Sequence, residues 1–203
     1  MEGIKLEGLH SESAVLIESF IEGREFSCIV VRTETGEIKA LPPTEIIKGK
    51  EIYDYRSKYL PGMSRKQTPI DLPNAEIQKI REACIELFEF FRFDVYARID
   101  GFYKADGSII LNDPNTTSGM LPSSFFFHQA AEIGLNPSQF LTFLIRQSLS
   151  ERLKANPLHP IITIMLQELD AYMAQLKDGD SPQTKVAVIM GGYSTERLSL
   201  IHI

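Results

Sequence analysis

Apolar runs of strand length alternate with turn residues through the first part of the chain. Ala14–Ile21 and Phe26–Arg32 read as strands on either side of Glu22-Gly23-Arg24, and Gly36 leads into a third, Glu37–Leu41, stopped by Pro42-Pro43. This predicts a meander of short antiparallel strands. From Glu51 to Leu72 the chain is rich in Tyr, Lys, Arg, Gly and Pro without periodicity, which predicts a long functional loop. Ile77, Ile80, Cys84, Leu87, Phe88 and Phe91 then recur at helical spacing, predicting a helix with one buried face, capped by Asn74 after Pro73.

Val95–Tyr103 and Ser108–Asp113 read as strands joined at Asp106-Gly107, a strong hairpin signal. Ser124–Ile133 predicts a short helix ended by Gly134. Asn136-Pro137 opens another, with a cap residue followed by Pro at the first helical position. An amphipathic helix is expected over His159–Leu176. After the polar break Lys177–Thr184, Lys185–Met190 is an apolar strand entering Gly191-Gly192, the way a parallel α/β domain begins. The whole reads as α+β, followed by the first strand of a Rossmann-like α/β domain.

At 203 residues and 43% hydrophobic, the chain suffices for one full core and part of a second. Its net charge of −6 supplies no global basic field, so nucleic acid is not an expected partner. No run reaches membrane-spanning length and Met1–Glu12 lacks a signal layout, so no membrane partner is expected either. Cys28 and Cys84 lack metal-ligand spacing and predict no disulfide framework; a reduced, cytoplasmic setting fits.

The hairpin carries the candidate chemistry. A two-residue turn at Asp106-Gly107 places Ala105 opposite Ser108 and, further out, Asp100 opposite Asp113 and Arg98 opposite Asn115, all four on one face. Directly opposed like charges are destabilising unless something positive lies between them. Two carboxylates and a carboxamide suit Mg²⁺ or Mn²⁺, with water and phosphate oxygens completing the shell. The alternative is that Asp113-Pro114-Asn115 is only a turn and that Asp100 pairs with Arg98; a one-residue slip in register would undo the coincidence. Asn115–Met120 is polar and glycine-bearing, suited to wrapping a small ligand.

Arg98-Ile99-Asp100, Asp113-Pro114-Asn115-Thr116 and Ser118-Gly119-Met120 together resemble the Arg-x-Asp, acidic-x-Asn-Thr and Gly-Met pattern of the D-alanine–D-alanine ligase family of ATP-grasp enzymes. Tyr53-Asp54-Tyr55-Arg56-Ser57-Lys58-Tyr59-Leu60 looks like the family's Tyr-Asp-Tyr-x-x-Lys-Tyr loop, and Leu16-Ile17-Glu18 with Gly23-Arg24-Glu25-Phe26 resembles its nucleotide hinge. The resemblance runs from about Val15 to Leu144, with the motifs in family order. It implies an ATP-grasp C-terminal lobe, an antiparallel sheet with flanking helices, over 1–150. It implies ATP and two divalent ions, Mg²⁺ or Mn²⁺, as cofactors and D-alanine as substrate.

Position by position, the resemblance implies that Glu18 and the backbone of Phe20 and Ile21 meet adenine, and that Glu25 meets the ribose. Lys58 approaches the phosphates and Tyr59 closes over the substrates. Arg98 stabilises the tetrahedral intermediate; Asp100, Asp113 and Asn115 hold the metals; Gly119 and Ser124 contact the second D-alanine. Ser124 also reads as a simple helix cap. Two positions depart from the family: Asp113 replaces the usual Glu, and Leu121-Pro122-Ser123-Ser124 differs from the residues that usually follow Gly-Met. The implied reaction forms an acyl phosphate on one D-alanine, which the amine of the second displaces, for peptidoglycan precursors.

The family's phosphate-binding lysines and glycine-rich loop find no place in Met1–Ser13, so Met1 is expected to be an internal methionine and the chain by itself inactive. Lys185–Arg197 resembles the opening of the family's first domain, with Glu196 at a position that places the first D-alanine. The expected organisation is a lobe over 1–150, a helical spacer over 151–184, and the start of a second ligase-like unit over 185–203. Leu198–Ile203 reads like a translated sequencing adapter and is expected not to be natural protein. Two other readings stay open: a non-catalytic ligand-binding half, which Asp113 favours mildly, and ligation of D-alanine to D-lactate, against which Tyr59 rather than Phe speaks.

Overall fold

The structure, a computed structural model, describes residues 18–48, 64–117, 120 and 124–177. The expectations on Ala14–Ile17, the Tyr53–Leu60 loop with Lys58 and Tyr59, Gly119, and everything from Asp178 to Ile203 lie outside the described residues.

The sheet is built on β1 (Arg24–Arg32), whose central residues Phe26–Val31 are all buried. Continuous burial on both faces is what an apolar run with helices on each side requires. Antiparallel neighbours flank it. β5 (Tyr96–Tyr103) pairs along one edge from Arg24↔Tyr103 to Val31↔Tyr96. The other edge is shared by β2 (Ile38–Ala40), at Val30↔Ala40, and β3 (Thr44–Lys48), at Ser27↔Thr44. β4 (Ser64–Gln67) extends the sheet beyond β3, and β6 (Ile109–Asn115) closes the opposite edge beside β5.

Helices cover both faces. α1 (Asn74–Phe90) buries Ile80, Cys84 and Phe88 against Phe26, Cys28, Val30, Ala97 and Ile99. α2 (Phe125–Glu132) and α3 (Pro137–Ala155) bury Phe126, Ala130, Phe140 and Leu144 against Ile29, Val31 and Leu41. α3 starts as read: Asn136 accepts from the Gln139 N–H, Gln139 Oε1 accepts from the Asn136 N–H, and Pro137 opens the helix. α4 (Pro160–Lys177) lies on α3, tied by Arg146, which donates to Asp170 at 2.5 Å and pairs with Glu34 at 2.7 Å. No helix among the described residues is long and apolar enough to cross a membrane.

Four local expectations are corrected. Residues 18–22 carry no strand, although one was expected to reach Ile21; Phe20 is 83% exposed there. A strand needs a partner edge, and β1 begins to pair only at Arg24, just after Gly23, where an added Cβ would lie 2.9 Å from the Tyr103 carbonyl oxygen. The span expected to be loop from Glu51 to Leu72 contains β4, held by its ladder to β3 rather than by any pattern of its own. Asn74 is the first residue of α1, not its cap: Pro73 holds that position and no side chain caps the helix.

The fourth correction is the hairpin register. The loop is a type I turn ending in Gly107 at φ +80°: the Gly107 N–H donates to the Lys104 carbonyl and the Lys104 N–H to Ser108. Tyr103 therefore faces Ile109, and Asp100 faces Asn112 rather than Asp113. A bulge next to Asp100 then inserts Asp113 at φ +44°, after which Ile99 faces Pro114 and Arg98 faces Asn115. The two one-residue displacements cancel, so the Arg98–Asn115 pairing survives. Asp is among the residues that tolerate this conformation, and a bulge on an edge strand is where Pro114 fits.

Candidate active site

Residues opposite one another on paired strands share a face, and so do residues two apart on one strand. Glu25 and Ser27 on β1 lie opposite Phe102 and Asp100 on β5, and Asn115 on β6 lies opposite Arg98. All of them are on the face that α2 and α3 cover, where Tyr96 meets Phe126 edge-on at 5.1 Å. Glu25, expected at the ribose, and Asp100 and Asn115, two of the three residues expected at the metals, thus stand on one surface of adjacent strands.

Arg98 grips Asp100 with both prongs, Nε to Oδ1 at 3.1 Å and Nη2 to Oδ2 at 2.9 Å. The alternative reading of an Arg98–Asp100 pair is therefore realised, and the two side chains remain 25% and 23% exposed. Burial pushes the Asp100 carboxyl above the usual carboxylate range; Arg98 and the Ser27 hydroxyl oppose this, and the charge of Asp113 adds to it. Asp113 is thus near enough to repel Asp100 although the two are not directly opposed. Asn115 Nδ2 donates to the Asp113 carbonyl at 2.9 Å and to its Oδ2 at 3.1 Å.

This set fits a divalent cation. Among the described residues no three His, Cys, Asp or Glu side chains gather as a closed metal cage. Mg²⁺ commonly takes one or two carboxylates and completes its shell from water and phosphate. Two carboxylates, Asp100 and Asp113, beside the Asn115 carboxamide supply that partial set, and they are the residues that would hold such an ion.

The remaining expected residues are placed as follows. Glu18 and Phe20 are exposed and Ile21 half-buried, in the segment leading into β1. Ser124 caps α2, its Oγ accepting from the Phe126 N–H at 3.4 Å. α2 is fixed to the same sheet by Gln129, a buried residue the sequence reading passed over. Lys66 on β4 shares this face through its pairing with Ile46, and its ammonium lies 4.6 Å from the centre of the Phe125 ring. Partial burial lowers its proton affinity. Ser27 was passed over too; the signal for it was a single hydroxyl within the apolar run Phe26–Val31. A cavity of about 530 Å³ opens between the start of β5 and α3, bordered by Tyr96, Thr116, Met120 and Leu144. Asp100 and Asp113 are not among the described residues that line it.

On the other face, Cys28 and Cys84 are buried free thiols, and hydrogen bonding to Cys28 together with burial pushes the Cys84 thiol well up.

Known proteins bring these features together. The sequence model of a family described as "D-ala D-ala ligase C-terminus" matches residues 4–146. The D-alanine–D-alanine ligase B of Clostridium perfringens (strain 13 / Type A) is 32% identical over 149 residues, 73% of this chain and 47% of that protein. The D-alanine–D-alanine ligase of Halothermothrix orenii is 32% identical over 145 residues, 71% of this chain and 42% of that protein. The structure of the D-alanine–D-alanine ligase from Bacillus anthracis complexed with ATP superposes with a TM-score of 0.56 at 27% identity, over 68% of this chain and 44% of that one. The chain thus spans somewhat less than half the length of these relatives. Its antiparallel sheet with flanking helices is the ATP-grasp C-terminal lobe, and by sequence model, relatives and fold alike the chain belongs to the D-alanine–D-alanine ligase C-terminal family.

Proposed function

We propose that this chain is the catalytic lobe of an ATP-dependent ligase that joins two D-alanines for peptidoglycan precursors, acting in the cytoplasm. The observation that carries the reading is the Arg98–Asp100 pair set opposite Asn115 and beside the Asp113 bulge. ATP would phosphorylate the carboxylate of one D-alanine, and the amine of the second would displace the phosphate. Divalent ions held by Asp100, Asp113 and Asn115 would neutralise charge on the phosphate oxygens. Arg98, always charged, would turn toward the transferring group once a cation shares the charge of Asp100. Such positioned charge, rather than a covalent nucleophile, dominates phosphoryl transfer.

Glu25 would hold the ribose, with Glu18, Phe20 and Ile21 around adenine and Lys58 on the phosphates. Tyr59 would close the loop against water, and Gly119 and Ser124 would contact the second D-alanine. Lys185–Arg197 would open a second ligase-like unit in a longer parent.

The test is ATP-dependent phosphate release by the parent protein with D-alanine, the dipeptide being identified as product. Arg98→Ala should lower kcat by about 10²–10³-fold, the usual effect of removing one transition-state donor. Tyr59→Phe should shift product toward D-alanyl-D-lactate by roughly tenfold when both acceptors are present. The 203-residue chain alone should release no phosphate above an Asp100→Ala control. A parent that binds ATP and D-alanine yet forms no product would instead be a non-catalytic binding protein.

A further inference from the structure

Ser27 lies at the centre of β1, where every other residue from Phe26 to Val31 is apolar and buried. It is fully buried, and its Oγ has no hydrogen-bond partner among the described residues. The groups around it are engaged. Its own carbonyl accepts from Gln129 Nε2 at 2.8 Å, and the Thr44 hydroxyl across the strand pair is shared with Thr68 and Gln129. A buried hydroxyl without a partner costs stability that Ala at the same position would not.

On its other side Ser27 faces Asp100. Facing residues on antiparallel strands hold their Cβ atoms about 4.5–5.5 Å apart, so the hydroxyl is within reach of the carboxylate. It makes no well-formed hydrogen bond there. Both carboxylate oxygens accept from Arg98 instead. On the reading proposed above, Arg98 cannot hold Asp100 and attend to the reacting phosphate at once. Carboxylates that ligate metals are ordinarily fixed by hydrogen bonds from behind.

We propose that Ser27 is a positioning residue: its hydroxyl donates to the Asp100 carboxylate when Arg98 lets go, holding that carboxylate toward the cation shared with Asp113 and Asn115. The proposal rests on the metal-site reading and adds to it a fully buried group on the adjacent strand.

The test pairs two measurements on the 203-residue chain, Mn²⁺ titration followed by electron paramagnetic resonance and thermal melting without metal. Ser27→Ala should weaken Mn²⁺ binding by about tenfold, the low end of what loss of such a supporting bond costs. Its metal-free melting temperature should hold or rise, because no hydrogen bond is lost. Ser27→Thr, which keeps the hydroxyl, should bind within about threefold of the parent if the bond is all that matters. Should Ser27→Ala prove unstable, Ser27→Cys keeps the size with a weak donor and should weaken binding in the same direction. Unchanged Mn²⁺ affinity in Ser27→Ala, or in Ser27→Cys where that variant stands in, overturns the proposal while leaving the metal site standing. If Asp100→Asn binds Mn²⁺ as the parent does, the site reading fails and Ser27's role falls with it.

Discussion

The side chain of Gln129 stands in for a strand neighbour of Ile29. Its Oε1 accepts the Ile29 N–H at 2.9 Å, while its Nε2 donates to the Ser27 carbonyl at 2.8 Å and to Thr44 Oγ1 at 3.1 Å. β2 and β3 share one edge of β1 and leave a gap between Ser27 and Val30, and a carboxamide has the donor and acceptor of the missing peptide group. Gln129→Leu should therefore cost about 2–4 kcal/mol, since it strands one buried donor and one buried acceptor at roughly 1–3 kcal/mol each. Urea unfolding would measure it; a loss under about 0.5 kcal/mol would mean that water takes over both bonds.

Asp113→Asn should leave the metal-free chain as stable as the parent or slightly more so. The substitution removes a charge that repels Asp100, and Asn tolerates the positive φ of 44°. The Mn²⁺-induced rise in melting temperature should shrink to less than about half, because Asn offers the ion no charge. Equal metal-induced rises in the two proteins would leave Asp113 as a bulge residue only.

The hairpin turn should contribute a pH-dependent increment. Asp106 Oδ1 accepts from the Ser108 N–H at 2.9 Å and from its hydroxyl at 2.5 Å, which lowers the Asp106 carboxyl from 3.8 to about 2. A depressed carboxyl stabilises the fold above its unfolded pKa and loses that contribution as pH falls through the folded value. The melting-temperature difference between parent and Asp106→Ala should thus stay constant from pH 7 to about 5 and shrink below pH 3.8 toward about 2. A difference unchanged down to pH 2 would show that the turn does not depend on the charge.

Arg146→Met should loosen α4 without touching the acidic site. Arg146 is only 20% exposed, but Glu34 and Asp170 are 52% and 44% exposed, so solvent screening limits the loss to about 1 kcal/mol. Amide exchange across Pro160–Lys177 should accelerate while the protection of β1 and β5 holds. Uniform acceleration would show instead that α4 and the sheet open together.

Much of the fold is written in local pattern. The 3.6-residue recurrence of Ile80, Cys84 and Phe88 chose the face of α1, and Asn136-Pro137 fixed the start of α3 through its own side chain and ring. Arg98, Asp100, Asp113 and Asn115 could be picked out by their resemblance to the Arg-x-Asp and acidic-x-Asn-Thr pattern, although the register that set Asp100 opposite Asp113 is not the one formed. The registers were not legible. A two-residue loop and a three-residue loop at Asp106-Gly107 differ little in local energy, but the first would send Asn112 into the α1 core and turn Ile109 and Leu111 out of it. Short strands such as Thr44–Lys48 and Ser64–Gln67 likewise exist only because an edge is there to pair with. The sequence alone named the charged groups; which carboxylate faces Ser27, which amide fills the gap beside Ile29 and how Asp113 reaches Asp100 were decided by burial of apolar side chains on two faces at once, a constraint that acts between strands and is carried by no single segment.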